Sequence, residues 1–162
     1  MKNLKISYKI LTFMFILTFL SGGLAVKLVS SMSKVNDQST IIADNWLPSV
    51  ETTSALNTAA SDFRLGECKH VGTTDNATME QAEKEMSSVA TSISDLRKKY
   101  EPMISSPEEK TLYEEFSSAW DKYMVAHEKF IVLSRNNQNE EAKNILYGDA
   151  LKQFSLASES LD

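Results

Sequence analysis

Arg64, Glu67, Cys68 and His70 fall within seven consecutive residues of a 162-residue chain. A Glu-x-x-His pair, one helical turn apart, is the ligand pattern of carboxylate-bridged di-metal bundles, which need two such pairs and two further glutamates. The second pair is missing here, because the only other histidine is His127 and position 124 is methionine. Cys68 and His70 supply two donors at helical positions that point apart, too few to hold zinc. No nucleophile elbow, Ser-His-Asp order, phosphate-binding glycine loop or dinucleotide fingerprint occurs. The expectation is therefore no catalytic residue, no metal and no cofactor, in a chain that is not an enzyme. Arg64 poses a different question. A partly dehydrated guanidinium needs an anionic partner, and its planar fork suits a carboxylate. It reads either as one half of an internal ion pair, with Glu67 or Asp149, or as a receptor for a ligand carboxylate.

Charge and periodicity define the elements that must hold these residues. A single cysteine excludes a disulfide-stapled scaffold. A net charge of −5, with no basic cluster beyond Arg97-Lys98-Lys99, argues against nucleic acid as the partner. Five glycines and three prolines are too few for an all-β chain with many turns. The first 31 residues carry Lys2, Lys5, Lys9 and Lys27 and no acid, while Ile10–Val26 is wholly uncharged. That run predicts a membrane anchor over 10–31, with Lys27 snorkelling. Three lysines ahead of it keep 1–9 in the cytoplasm and put 32–162 outside the inner membrane, in the periplasm. A cleaved signal peptide is the rival, since Gly23-Leu24-Ala25 offers small residues at a cleavage site. The helical pattern that continues through Leu28, Met32 and Val35 favours the anchor.

Beyond the anchor the apolar residues recur in steps of three and four. The first stretch runs from about Met32 to His70, with a seam of Ile42, Trp46, Ser49, Thr53, Leu56, Ala60, Phe63, Glu67 and His70. Pro48 should bend it, and Gly72 is placed for a left-handed cap. Met79, Ala82, Met86, Val89, Ile93, Leu96, Tyr100 and Met103 form the second seam. Leu112, Phe116, Ala119, Tyr123, Ala126, Phe130 and Leu133 form the third, opened by a Ser106 cap with Pro107 at the first helical position and Glu109 set for a capping box. Arg135-Asn136-Asn137-Gln138 is the next turn. Asn139 then opens a fourth helix through Ala142, Leu146, Ala150, Phe154, Ala157 and Leu161. Short connections predict an all-α, up-down antiparallel four-helix bundle preceded by one N-terminal transmembrane helix. The fourth helix is shorter than the first, so the chain reads as cut short within it.

Leu4-Lys5-Ile6-Ser7, the single anchor, Asn45-Trp46-Leu47-Pro48-Ser49 and Asp62-Phe63-Arg64 resemble the four-helix-bundle sensory domain of methyl-accepting chemotaxis proteins. Leu96-Arg97-Lys98-Lys99-Tyr100-Glu101-Pro102, the Trp120-Tyr123 face and Ala142…Tyr147-Gly148-Asp149 fit the same pattern. The resemblance covers essentially the whole chain. It implies a receptor that binds a small anionic solute such as an organic acid, using an arginine of the first bundle helix, and transmits a helix shift for chemotaxis signalling. It further implies a cytoplasmic region, absent from these residues, through which signalling proteins would be reached. The same module also precedes some histidine kinases and cyclases. A stand-alone anchored or secreted bundle acting by protein–protein contact is a further alternative.

The up-down topology gathers the end of the first bundle helix, the end of the third and the start of the fourth at the membrane-distal end. The expected ligand-binding set there is Arg64, Glu67 and His70, with Tyr123, Tyr147 and Gln153 adding hydrogen bonds and Arg135 as a second cation. Ile41, Leu47, Val50 and Ala55 lie off the main seam of the first helix. They read as a second apolar face for a homodimer, or as ordinary breadth of a core stripe.

Overall fold

The structure, a computed structural model, describes residues 5–161. All regular secondary structure among them is helical. The chain divides into two compact units, Met1–Trp46 and Leu47–Asp162, each described by itself.

The first unit contains α1 (Ile6–Ile41), in which no side chain is buried. Phe13, Phe15, Phe19 and Leu20 all stand exposed, as expected for a helix whose solvent is lipid rather than protein. Its apolar run makes it long and apolar enough to cross a membrane. Its hydroxyls are compatible with that setting: Thr12, Thr18 and Ser21 each donate to the carbonyl four residues back, at 2.8, 2.9 and 2.6 Å. No donor need then face hydrocarbon unpaired. The bend predicted near Pro48 takes the form of a wide, π-type turn at Ile42–Trp46. Proline lacks an N–H and crowds the carbonyl four residues before it, so the helical ladder is relieved just upstream. Ile42 and Trp46, read as seam residues, are exposed.

The second unit holds α2 (Leu47–Val71), α3 (Asn76–Tyr100), α4 (Pro107–Arg135), α5 (Asn139–Tyr147) and α6 (Asp149–Glu159). Phe63 and Leu56 from α2, Ile93 from α3 and Phe116, Trp120 and Tyr123 from α4 make its centre. The α3 seam is buried at Met79, Ala82, Met86, Ile93 and Tyr100, as its spacing requires. In α2, Thr52 rather than Thr53 turns inward, its hydroxyl satisfied by the Pro48 carbonyl at 2.7 Å. At the start of α4, Tyr113 replaces Leu112 in the core. Its hydroxyl donates to Glu101 at 3.0 Å and its ring lies 5.3 Å from that of Tyr100.

The helix ends follow local chemistry. Asp75 caps α3 through the Thr78 N–H at 2.9 Å. Ser106 caps α4 through the Glu109 N–H at 3.1 Å, and the Glu109 carboxylate reaches back to the Ser105 N–H at 2.8 Å, one residue earlier than a standard capping box. Two expectations are corrected. Gly72 takes no left-handed conformation; α2 ends instead with the Gly72 N–H on the Cys68 carbonyl at 3.1 Å. The residue with positive φ among those described is Asn137, at 56°, where the Gln138 N–H closes on the Leu133 carbonyl at 3.0 Å. The fourth helix is also not one helix. It breaks at Gly148, with φ −98° and ψ −111°. A Cβ there would lie 2.6 Å from the Asn144 carbonyl oxygen, which reserves the position for glycine. Leu146, Ala150 and Ala157 are all buried despite the break.

Gly66 sets how closely α2 and α3 approach, because a Cβ there would fall inside contact distance of Met86 Cγ. Gly66→Ala should therefore overpack this contact and lower stability by about 1–3 kcal/mol. Denaturant unfolding followed by circular dichroism checks this, and the loss should shrink in a Met86→Ala background.

Candidate functional site

Glu67 is fully buried on α2, and α4 supplies both of its partners. The Tyr123 hydroxyl donates to Oε2, and His127 Nδ1 lies 2.8 Å from Oε1. Tyr123 and His127 are one turn apart, so a single helix face presents both donors. Phe63, one turn before Glu67, packs edge-on against Trp120, Tyr123 and His127 at centroid distances of 5.6, 6.1 and 4.8 Å. Burial first, and then the negative charge of Glu67, push the Tyr123 hydroxyl well above the usual tyrosine range. Tyr123 is thus fixed as a neutral donor to the carboxylate.

Arg64 does not form the internal ion pair weighed from sequence. Its Nη2 donates to the Leu146 carbonyl at 3.1 Å, in the last turn of α5, and its guanidinium sits 5.3 Å over the Phe154 ring. Nη1 is buried and makes no hydrogen bond. Among the described residues no ion pair joins Arg64 to a carboxylate. The cation is held by a backbone dipole and an aromatic face, with the two N–H groups of Nη1 left over.

A second polar cluster joins α2, α3 and α4. His70 is fully buried, with Nδ1 2.7 Å from Ser134 Oγ and Nε2 3.0 Å from Glu83 Oε1. Arg135, read as a turn residue, is the last residue of α4 and grips Glu83 with two bonds, Nε at 2.7 Å and Nη2 at 2.6 Å. That grip, aided by His70 and opposed by burial, holds the Glu83 carboxyl down at about 2.

The structure therefore brings Arg64, Glu67 and Tyr123 together, and separately His70 with Arg135. Tyr147 is exposed at the end of α5. Gln153, half-buried on α6, lines a groove with Lys122 and Thr111 of α4, and its Oε1 is buried without a partner. Sequence reasoning missed three participants: His127, Glu83 and Ser134. Each stands in or beside an apolar seam (Ala126, Ala82 and Leu133 are neighbours), where an isolated polar residue is the available signal. Among the described residues no cluster of three or more His, Cys, Asp or Glu side chains could hold a metal ion.

The chain thus joins a helix long and apolar enough to cross a membrane to a packed helical unit with polar clusters inside it. Residues 3–162 match the family model described as a four helix bundle sensory module for signal transduction, and the chain belongs to that family. It is a sensory module of the chemoreceptor type, with one helix among the described residues long and apolar enough to cross a membrane. It is similar to the "Putative sensory transducer protein YvaQ" of Bacillus subtilis (strain 168), 24% identical over 131 residues, which are 81% of this chain and 23% of that protein. The chain thus spans about a quarter of the length of the curated relative it matches.

The depressed Glu83 carboxyl sets a pH dependence with a definite sign. Its pair stabilises the fold above the ordinary carboxylate value of 4.5, and this is lost as pH falls through about 2. Glu83→Gln should flatten the decline in stability between those two values, measured by urea unfolding across that acid range.

Proposed function

We propose that the packed unit binds a small carboxylate, such as an organic acid, and converts binding into a displacement of the fourth helix. What supports this reading is Arg64: a guanidinium held on a backbone carbonyl, with a buried N–H unmade and no carboxylate opposite. An unsatisfied buried donor costs about 1–3 kcal/mol, which an incoming carboxylate oxygen would recover. Tyr123 stands nearby with its hydroxyl committed to Glu67, and Tyr147 and Gln153 lie on α5 and α6, on either side of Gly148. His70 and Arg135 hold the neighbouring α2–α3–α4 junction rather than the solute itself.

Coupling follows from what Arg64 holds. The Leu146 carbonyl lies in the last turn of α5, two residues before the break at Gly148. A solute that draws the guanidinium away loosens that turn, and the balance shifts toward a different seating of α5 and α6 on α4. The lysines preceding the apolar run support a unit that lies outside the cytoplasm, in the periplasm. Signalling proteins of the chemotaxis class would be engaged by cytoplasmic parts of the longer protein. Leu47 and Val50, both about two-thirds exposed on α2, supply the self-complementary face of a homodimer.

In a thermal-shift screen of mono- and dicarboxylates on the full chain in nanodiscs, at least one should raise the melting temperature by several degrees. Arg64→Ala should abolish that rise while leaving the circular dichroism spectrum intact. A full panel without effect, or unchanged binding by Arg64→Ala, would remove this assignment. Val50→Asp should weaken self-association, read by sedimentation velocity.

A further inference from the structure

The Arg64 reading leaves unused a groove of about 300 Å³ between α3 and α4. Its lining includes Met86 and Ala90 of α3, Met124 and Ile131 of α4 and, behind them, Phe63 of α2. Two ion pairs bridge the same two helices, Glu83 to Arg135 and Arg97 to Asp121 at 3.1 Å. The space is at the lower end of ligand-site volumes and about twice what encloses one benzene ring.

Four polar residues line this groove, Glu83, Ser87, His127 and Arg135. Of these, His127 has its Nδ1 committed to Glu67. In the tautomer that carries its proton on Nδ1, toward the Glu67 carboxylate, His127 has the Nε2 lone pair free as an acceptor. Arg135 is spent on Glu83, so the groove offers no free cation from that residue. Two methionine side chains and the Phe63 ring favour an aromatic body through sulfur–ring and edge-to-face contacts.

We infer that this groove binds a single aromatic ring carrying a hydroxyl group, a phenol, with the hydroxyl donating to His127 Nε2. The site is built within one bundle and does not depend on Arg64. Because Tyr123, Glu67 and His127 form one hydrogen-bonded chain, a phenol on Nε2 acts on the same buried carboxylate that stands beside Arg64.

The test uses the full chain in nanodiscs with ¹⁵N-labelled histidine, the His127 signals being identified by their loss in His127→Gln. Titration with p-cresol should shift the His127 Nε2 resonance saturably. Toluene, which lacks the donor, should bind about tenfold more weakly, the value of one hydrogen bond. Ala90→Trp, which fills the groove, should abolish the p-cresol response while the His70 resonances stay in place as a report on the fold. Met124→Phe serves as a second filling variant should the first disturb those resonances. Arg64→Ala should keep a saturable p-cresol response while losing the thermal response to carboxylates, which separates this site from the carboxylate reading. No shift at millimolar p-cresol, an equal response to toluene, or a response that survives groove filling would each overturn the inference.

Discussion

A carboxylate withdrawn completely from water constrains the packed unit more than any apolar contact does. Leaving Glu67 charged and unpaired in the core would cost several kcal/mol, roughly 3–5 by analogy with broken buried pairs. It is tolerated only when α2 and α4 stand in the register that brings both Tyr123 and His127 to its two oxygens. An apolar seam accepts a slip of one turn at modest cost, since one leucine is much like another. This arrangement does not. Phe63 then fills the space left by the two donors, and Trp120 stacks on Tyr123 at 5.2 Å, so the aromatic centre is arranged around the charge.

The rest of the unit divides into closely and loosely joined parts. Gly66 lets α2 and α3 meet at close range. α4 carries Ala150 and Ala157 of α6, and small residues again permit a near approach. Between α3 and α4 two ion pairs, Glu83 with Arg135 and Arg97 with Asp121, stand beside apolar contacts such as Tyr100 on Tyr113. Ion pairs with exposed members are individually weak and exchangeable with water.

Much of this was legible in the chain. The α3 seam follows steps of three and four without a lapse, and Ser106-Pro107 with Glu109 is a start signal that works locally. Glu67 and His70 were visible as polar residues in core positions. Their partners were not, because a buried carboxylate states that donors exist but not which helix provides them. His127 sits one place off the α4 seam, and Glu83 stands beside Ala82 in the same way. The break at Gly148 was hidden for a different reason: Leu146, Ala150 and Phe154 keep helical spacing across it. Only the backbone conformation reveals the interruption. Trp46 misled by its apolar character, although it stands exposed upstream of the packed unit.

Breaking the fourth helix has a consequence for where the protein comes apart. The piece before the break, α5, is nine residues long, below the roughly 12–15 at which an isolated helix is even marginal in water. It has no side-chain cap at its start. Its amides would therefore lose protection from hydrogen exchange at a lower free energy than those of α2, α3 and α4. α5 is thus the helix of the unit that depends most on its neighbours, and the Arg64 bond to the Leu146 carbonyl is one of the ties that keep it wound.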